Sequence, residues 1–213
     1  PPFGPVRVYK GDEALEEVLK AEPAPCVLHL ATHGFFFPRP AAEKRDKFDT
    51  RQMQLGFSAQ EGRLGRLDDP MMRSGIYLAG ANVLPDVGQS APVDDGWVTA
   101  AEIARLDLRG TELVVLSACN SGLGDVRTGE GVSGLRQAFQ YAGARTLLTS
   151  LFEVPDSETQ DMMQQFYDAM HAGKGKLAAL HEAQLSVLKQ RLADGKGTHP
   201  FFWAGFILVG DLE

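Results

Sequence analysis

Two side chains in this sequence combine a nucleophile and a proton carrier in positions where a fold could use them. Cys119 follows the apolar run at 113–118, and His33 follows another short, nearly continuous apolar run, Cys26–Ala31. A thiol is a weak nucleophile until its pKa is lowered or a base stands beside it, and an imidazole supplies both. The two residues lie far apart in the chain, so they meet only if folding brings the ends of their runs together. Gly34 follows the histidine and small residues surround the cysteine. Backbone N–H groups at such turns, those of Gly34 and Cys119 here, are candidates to hold the oxyanion of acyl transfer. Each residue also has a plainer reading, the cysteine as a buried inert thiol and the histidine as a hydrogen-bonded structural group.

The elements that must position them read as alternating strands and helices. Val6–Tyr9 alternates weakly, as a short strand does. Asp12 is placed to cap a helix to about Ala21, with Ala14, Leu15, Val18 and Leu19 on one face. Cys26–Ala31, Ser74–Ala79, Leu113–Ala118, Thr146–Phe152 and Gly205–Val209 have strand character. Thr99 is placed to cap a short helix to about Ala104. Val132, Leu135, Ala138, Phe139 and Ala142 mark a helix, Ser157 and Gln160 form a capping-box pattern for one reaching about Met170, and Leu177 to Leu192 mark the last. This order predicts one α/β domain over 1–213, a three-layer sandwich with a mostly parallel central sheet flanked by helices. In such sheets active sites form outside the carboxyl ends of the strands, where both His33 and Cys119 stand. Residues 38–70 hold no period and read as a long loop or lid.

The bulk properties exclude several classes. A net charge of −7 and a pI near 5.3 in 213 residues argue against a nucleic-acid footprint. No apolar run approaches the roughly 18 residues of a membrane span, and the expected setting is cytoplasmic. The glycine-rich stretch after Cys119 lacks the Lys-Ser/Thr ending of a P-loop and the spacing of a dinucleotide fingerprint. No HExxH or aspartate-rich calcium loop occurs, so no cofactor and no metal are expected. Of the remaining candidates, Cys26 reads as a buried small hydrophobe, His29 as a core or supporting group within its strand, and His199 as structural. The chain begins at Pro1, and we expect it to be a segment of a longer protein.

The wording of the segments narrows the reading. HLATHGFF at 29–36, LVVLSACNSGLG at 113–124 and HPFFWAGFILVGD at 199–211 strongly resemble the CHAT family, caspase-like domains often attached to TPR repeats. The likeness continues through 67–82, 98–119, 131–144 and 150–159. The resemblance implies a cysteine endopeptidase of the caspase, separase and gingipain clan, with the histidine of the THG motif at His33 and the cysteine of SAC at Cys119. It implies a protein substrate and a regulatory partner or TPR region in the parent chain, in a bacterial signalling or defence system. Separase-like members carry an acidic group after the strand that here is Thr146–Phe152 and prefer a basic residue before the cut. Asp156 matches that acid best, with Glu153 nearby, while Asp156 or Ser157 also reads as a plain helix cap. Phe152 stands where the family usually has Trp. A catalytically silent binding or scaffold module and a small-molecule amidase are the rival readings.

Overall fold

Four-residue runs with no polar member favour extended structure buried on both faces. In the computed structural model they form the middle of the molecule. The structure describes residues 3–37, 69–82, 94–117, 130–152 and 154–213, and at 130–133 the backbone alone. β1 (Val27–Leu30) pairs in parallel with β5 (Leu113–Leu116), and β5 in parallel with β6 (Thr146–Ser150). β7 (Phe206–Gly210) runs antiparallel to β6, so the sheet order is β1-β5-β6-β7. A second, antiparallel sheet joins β2 (Gly34–Phe36), β3 (Ser74–Tyr77) and β4 (Trp97–Thr99), with β3 in its centre.

Alternation along β5 divides the core into two layers. Val114 and Leu116 pack with Leu30, Ile76, Ile103 and Phe139, beneath α2 (Ala100–Ile103) and α3 (Glu130–Tyr141). Leu113 and Val115 pack with Leu148, Met162, Phe166 and Leu180, beneath α4 (Asp156–His171) and α5 (Lys176–Ala193). The mixed α/β sandwich with a mostly parallel sheet is therefore as expected. Phe139 and Phe166 are fully buried on opposite faces, and truncating either to Ala costs about 3–5 kcal/mol. Thr99 caps α2 as the sequence indicates. Its Oγ1 accepts from Glu102 N at 3.3 Å while the Glu102 carboxylate accepts from Thr99 N at 2.9 Å.

Several local expectations give way to tertiary pairing. Val6–Tyr9 forms no strand, and Val6 and Val8 are exposed. The first helix, α1 (Glu16–Ala21), starts after Leu15 rather than at Asp12, which sits in a 3-10 turn. The reason lies in the backbone of residues 14–15: Ala14 O accepts from Ala79 N at 2.9 Å and Leu15 forms a bridge with Ala79. Cys26 is exposed, not buried, because it lies just outside β1, where its carbonyl accepts from Glu112 N. Most of the expected lid, 38–68, lies outside the described residues, and Pro70–Met72 is a 3-10 turn capped by Asp69. Among the described residues no helix is long and apolar enough to cross a membrane.

Candidate functional site

β1 and β5 end side by side. Leu30 lies opposite Leu116, and Ser117 N donates to Leu30 O at 3.0 Å. His33 follows Leu30 by three residues, and Cys119 follows Leu116 by the same step. Cys119 itself lies outside the described residues, as does Glu153.

The backbone around His33 is held by the second sheet. Thr32 Oγ1 donates to Tyr77 O, and Tyr77 N donates to His33 O at 2.9 Å. The side chain of His33 is exposed. At the far end of the same ladder Phe37 N donates to Arg73 O at 2.8 Å, and the buried Arg73 guanidinium donates from Nη1 to Phe37 O at 2.7 Å. In an antiparallel ladder, bonded and non-bonded pairs alternate. With His33–Tyr77 and Phe37–Arg73 bonded, the pair Gly34–Ile76 is a non-bonded one. The Gly34 N–H therefore points away from β3, toward the outer edge of β2.

His33, Ser117 and Asp156 line a single cleft of about 580 Å³. One wall comes from β1 and the turn after it, through His29, Ala31 and Thr32; the other comes from α4, through Thr159, Gln160, Gln164 and Tyr167. α4 begins at Asp156, with Pro155 at the N-cap and no side chain capping it. The capping-box pattern at Ser157 and Gln160 is thus not used: Pro155 already has the extended backbone of a cap, which places Ser157 inside the first turn. There its hydroxyl donates to Glu158 instead. Asp156 is exposed and makes no cap bond, so its carboxylate is left to the cleft.

At the other end of the cleft, Tyr167 Oη lies 3.0 Å from His29 Nδ1. Burial pushes the His29 pKa below its ordinary 6.5 and the Tyr167 phenol above its usual value. His29 lines the cleft and keeps accessible surface there. A neutral imidazole accepting the phenol proton at Nδ1 satisfies both groups. No motif singled out Thr159, Gln160, Gln164 or Tyr167 as cleft residues. The available signal was a stripe recurring every three or four residues from Asp156, polar where a helix on a sheet is usually apolar. His199 is structural, as expected: its Nδ1 accepts from Phe201 N at 3.2 Å. Among the described residues no cluster of His, Cys, Asp and Glu is placed to hold a metal ion.

Comparison with known proteins adds an independent line. A family model described as CHAT domain matches residues 4–211. Tetratricopeptide repeat protein 28 of Mus musculus is 34% identical over 131 residues, 61% of this chain and 5% of that protein. Its counterpart in Homo sapiens is 34% identical over 124 residues, 58% of this chain and 5% of that protein. The chain thus spans a small fraction of the length of the curated relatives it matches.

Proposed function

Because this chain belongs to the CHAT domain family, whose fold is caspase-like, we propose that it is a cysteine endopeptidase that cuts a protein partner with Cys119 and His33. The observation that carries the reading is the convergence of His33, Ser117 and Asp156 on one cleft, with Cys119 two residues past Ser117. In the proposed reaction the Cys119 thiolate attacks the peptide carbonyl carbon, and the carbonyl oxygen takes the negative charge. N–H groups of Gly34 and Cys119 stabilise that oxyanion; the outward direction of the Gly34 N–H supports this role. The tetrahedral species collapses to a thioester as His33 gives a proton to the leaving amine. Water, losing a proton to His33, then hydrolyses the thioester and restores the thiolate. Asp156, with Glu153, would read a basic residue before the cut.

The names of the mouse and human relatives support a tetratricopeptide-repeat region in the parent chain, which would present or select the partner. A regulated signalling or defence system in a bacterial cytoplasm belongs to the same proposal. The test is a peptidyl-Arg acyloxymethyl ketone followed by intact-mass and peptide mapping. The proposal requires one adduct, on Cys119, that disappears in Cys119→Ala and His33→Ala. The exposed Cys26 is a built-in control for indiscriminate thiol reactivity. Equal labelling of Cys26, or labelling that ignores His33, removes the dyad and favours a silent scaffold.

A further inference from the structure

The cleft end that carries Asp156 is held from outside the cleft. Arg191, near the end of α5, is buried, and its guanidinium lies over the Phe202 ring with 3.6 Å from Cζ to the centroid. Nε donates to Gly197 O at 2.7 Å, and Nη1 pairs with Glu158 in the first turn of α4. One side chain therefore ties α5, the turn 197–202 and the start of α4.

The same turn grips the chain leading into α4. Phe201 stacks on Phe152 with ring centroids 5.5 Å apart and planes 12° apart. Leu151 N donates to Gly205 O at 2.7 Å. Gly205 sits so close that a Cβ there would lie 2.3 Å from Val154 Cγ2. Trp203 Nε1 closes the turn on Thr198 O at 3.0 Å. The approach to α4 is thus fixed at Leu151, Phe152, Val154 and Glu158, while Asp156 makes no cap bond and lines the cleft.

We propose that Arg191 is a positioning residue for specificity: through Glu158, Gly197 and Phe202 it fixes the first turn of α4 and so sets where the Asp156 carboxylate meets a substrate cation. The proposal rests on the peptidase reading for its substrate, but its geometry does not depend on turnover. Arg191 does not line the cleft. Its guanidinium makes a donor fork and a flat face at once, which a lysine ammonium cannot.

The test compares acyl-Arg and acyl-citrulline peptide coumarylamides, which match in shape and differ in charge. For Arg191→Gln and Glu158→Gln the Arg-over-citrulline ratio of kcat/KM is expected to fall about fivefold, and no further than in Asp156→Asn. Turnover of the citrulline peptide, and the rate at which the citrulline counterpart of the ketone labels Cys119, are expected to stay within about twofold. Arg191→Lys, which keeps the cation and guards against misfolding, is expected to be intermediate. Equal losses for both peptides, tracking a lower melting temperature, would reduce Arg191 to a structural role and overturn the proposal. Binding of the same two peptides to Cys119→Ala, followed by fluorescence anisotropy, separates the two claims. Charge-selective binding that is lost with Arg191→Gln, in a protein whose parent does not cleave, sinks the peptidase reading and keeps the positioning role. Selectivity that is absent from the start, or that survives Arg191→Gln, sinks the positioning role itself.

Discussion

Asp156→Asn is the sharpest perturbation of the proposed specificity. A fully buried carboxylate facing an arginine typically forfeits ~2–5 kcal/mol when one partner is lost. Asp156 is not in that regime: it is exposed, at the first position of α4, on the wall of an open cleft. A charge-assisted hydrogen bond is worth about 1.5–3 kcal/mol, and solvent screening pulls an exposed pair toward 1 or below. About 1–2 kcal/mol is a fair figure for a partly enclosed site, roughly five- to thirty-fold in kcat/KM for an arginine substrate. The citrulline counterpart is expected to change little. The substitution also removes a negative charge from a helix N-terminus, which costs about 0.3–1 kcal/mol of stability, so a thermal melt must accompany the kinetics. A peptide library scanned at the position before the cut gives the wider answer. Unchanged Arg-over-citrulline selectivity in a folded Asp156→Asn variant, or a clear preference for Leu or Asp in the wild type, refutes the assignment.

Three further outcomes are expected. Cys119→Ala and His33→Ala each abolish cleavage with unfolding midpoints close to wild type, while Cys26→Ala keeps activity; near wild-type turnover in either dyad variant counts against the mechanism. Because the His29 pKa is lowered by folding, the unfolded chain binds the proton more readily; the neutral-His29 contribution is complete above about pH 6.5 and is lost as pH falls from there toward the folded value. Urea midpoints for His29→Gln should therefore fall less between pH 7 and pH 5 than those of the wild type, and parallel curves would show that His29 is not coupled to folding. Gly75→Ala should cost about 1–3 kcal/mol, since a Cβ there would lie 2.3 Å from Val98 O and 2.4 Å from Phe35 Cζ; by displacing β2 it should also slow labelling at Cys119, and an unaffected denaturation midpoint would contradict the packing.

The parts legible in the sequence were those set by local pattern. The runs that became β1, β5 and β6 are apolar or nearly so, with His29 interrupting β1, and Thr99 with Glu102 is a complete cap, so nothing nonlocal was needed to find them. Leu15 and Ala79 escaped notice because their bridge joins residues far apart in sequence. Its hydrogen bonds delayed α1 past a good capping residue. Ser157 and Gln160 matched a cap pattern, yet Pro155 had already set the extended backbone that a cap requires. The antiparallel sense of β7 was equally hidden: β-propensity at 205–209 carries no direction, which follows from how α5 and the 197–202 turn return the chain. At the site, His33 and Gly34 were visible by type, but the outward Gly34 N–H depends on ladder parity with β3. The α4 wall of the cleft needed the register of a helix whose start the pattern put two residues too late.

Under the proposed mechanism, stability and chemistry would occupy separate parts of this chain, and that separation makes the proposal testable. The last paired residues of the two key strands, Leu30 and Leu116, are buried, whereas His33 and Cys119 stand three steps beyond them. Removing the exposed His33 side chain leaves the buried apolar contacts of Leu30 in β1 untouched. The opposite holds for Arg191, whose loss disturbs packing and position together. A clean loss of cleavage in a fully stable Cys119→Ala protein, set beside a graded loss of charge selectivity in Arg191→Lys, would separate the group that does the chemistry from the group that aims it. If the dyad variants instead unfolded, His33 would be a structural residue of the hairpin it enters, tied through Thr32 and Tyr77, and the cleft would need another nucleophile.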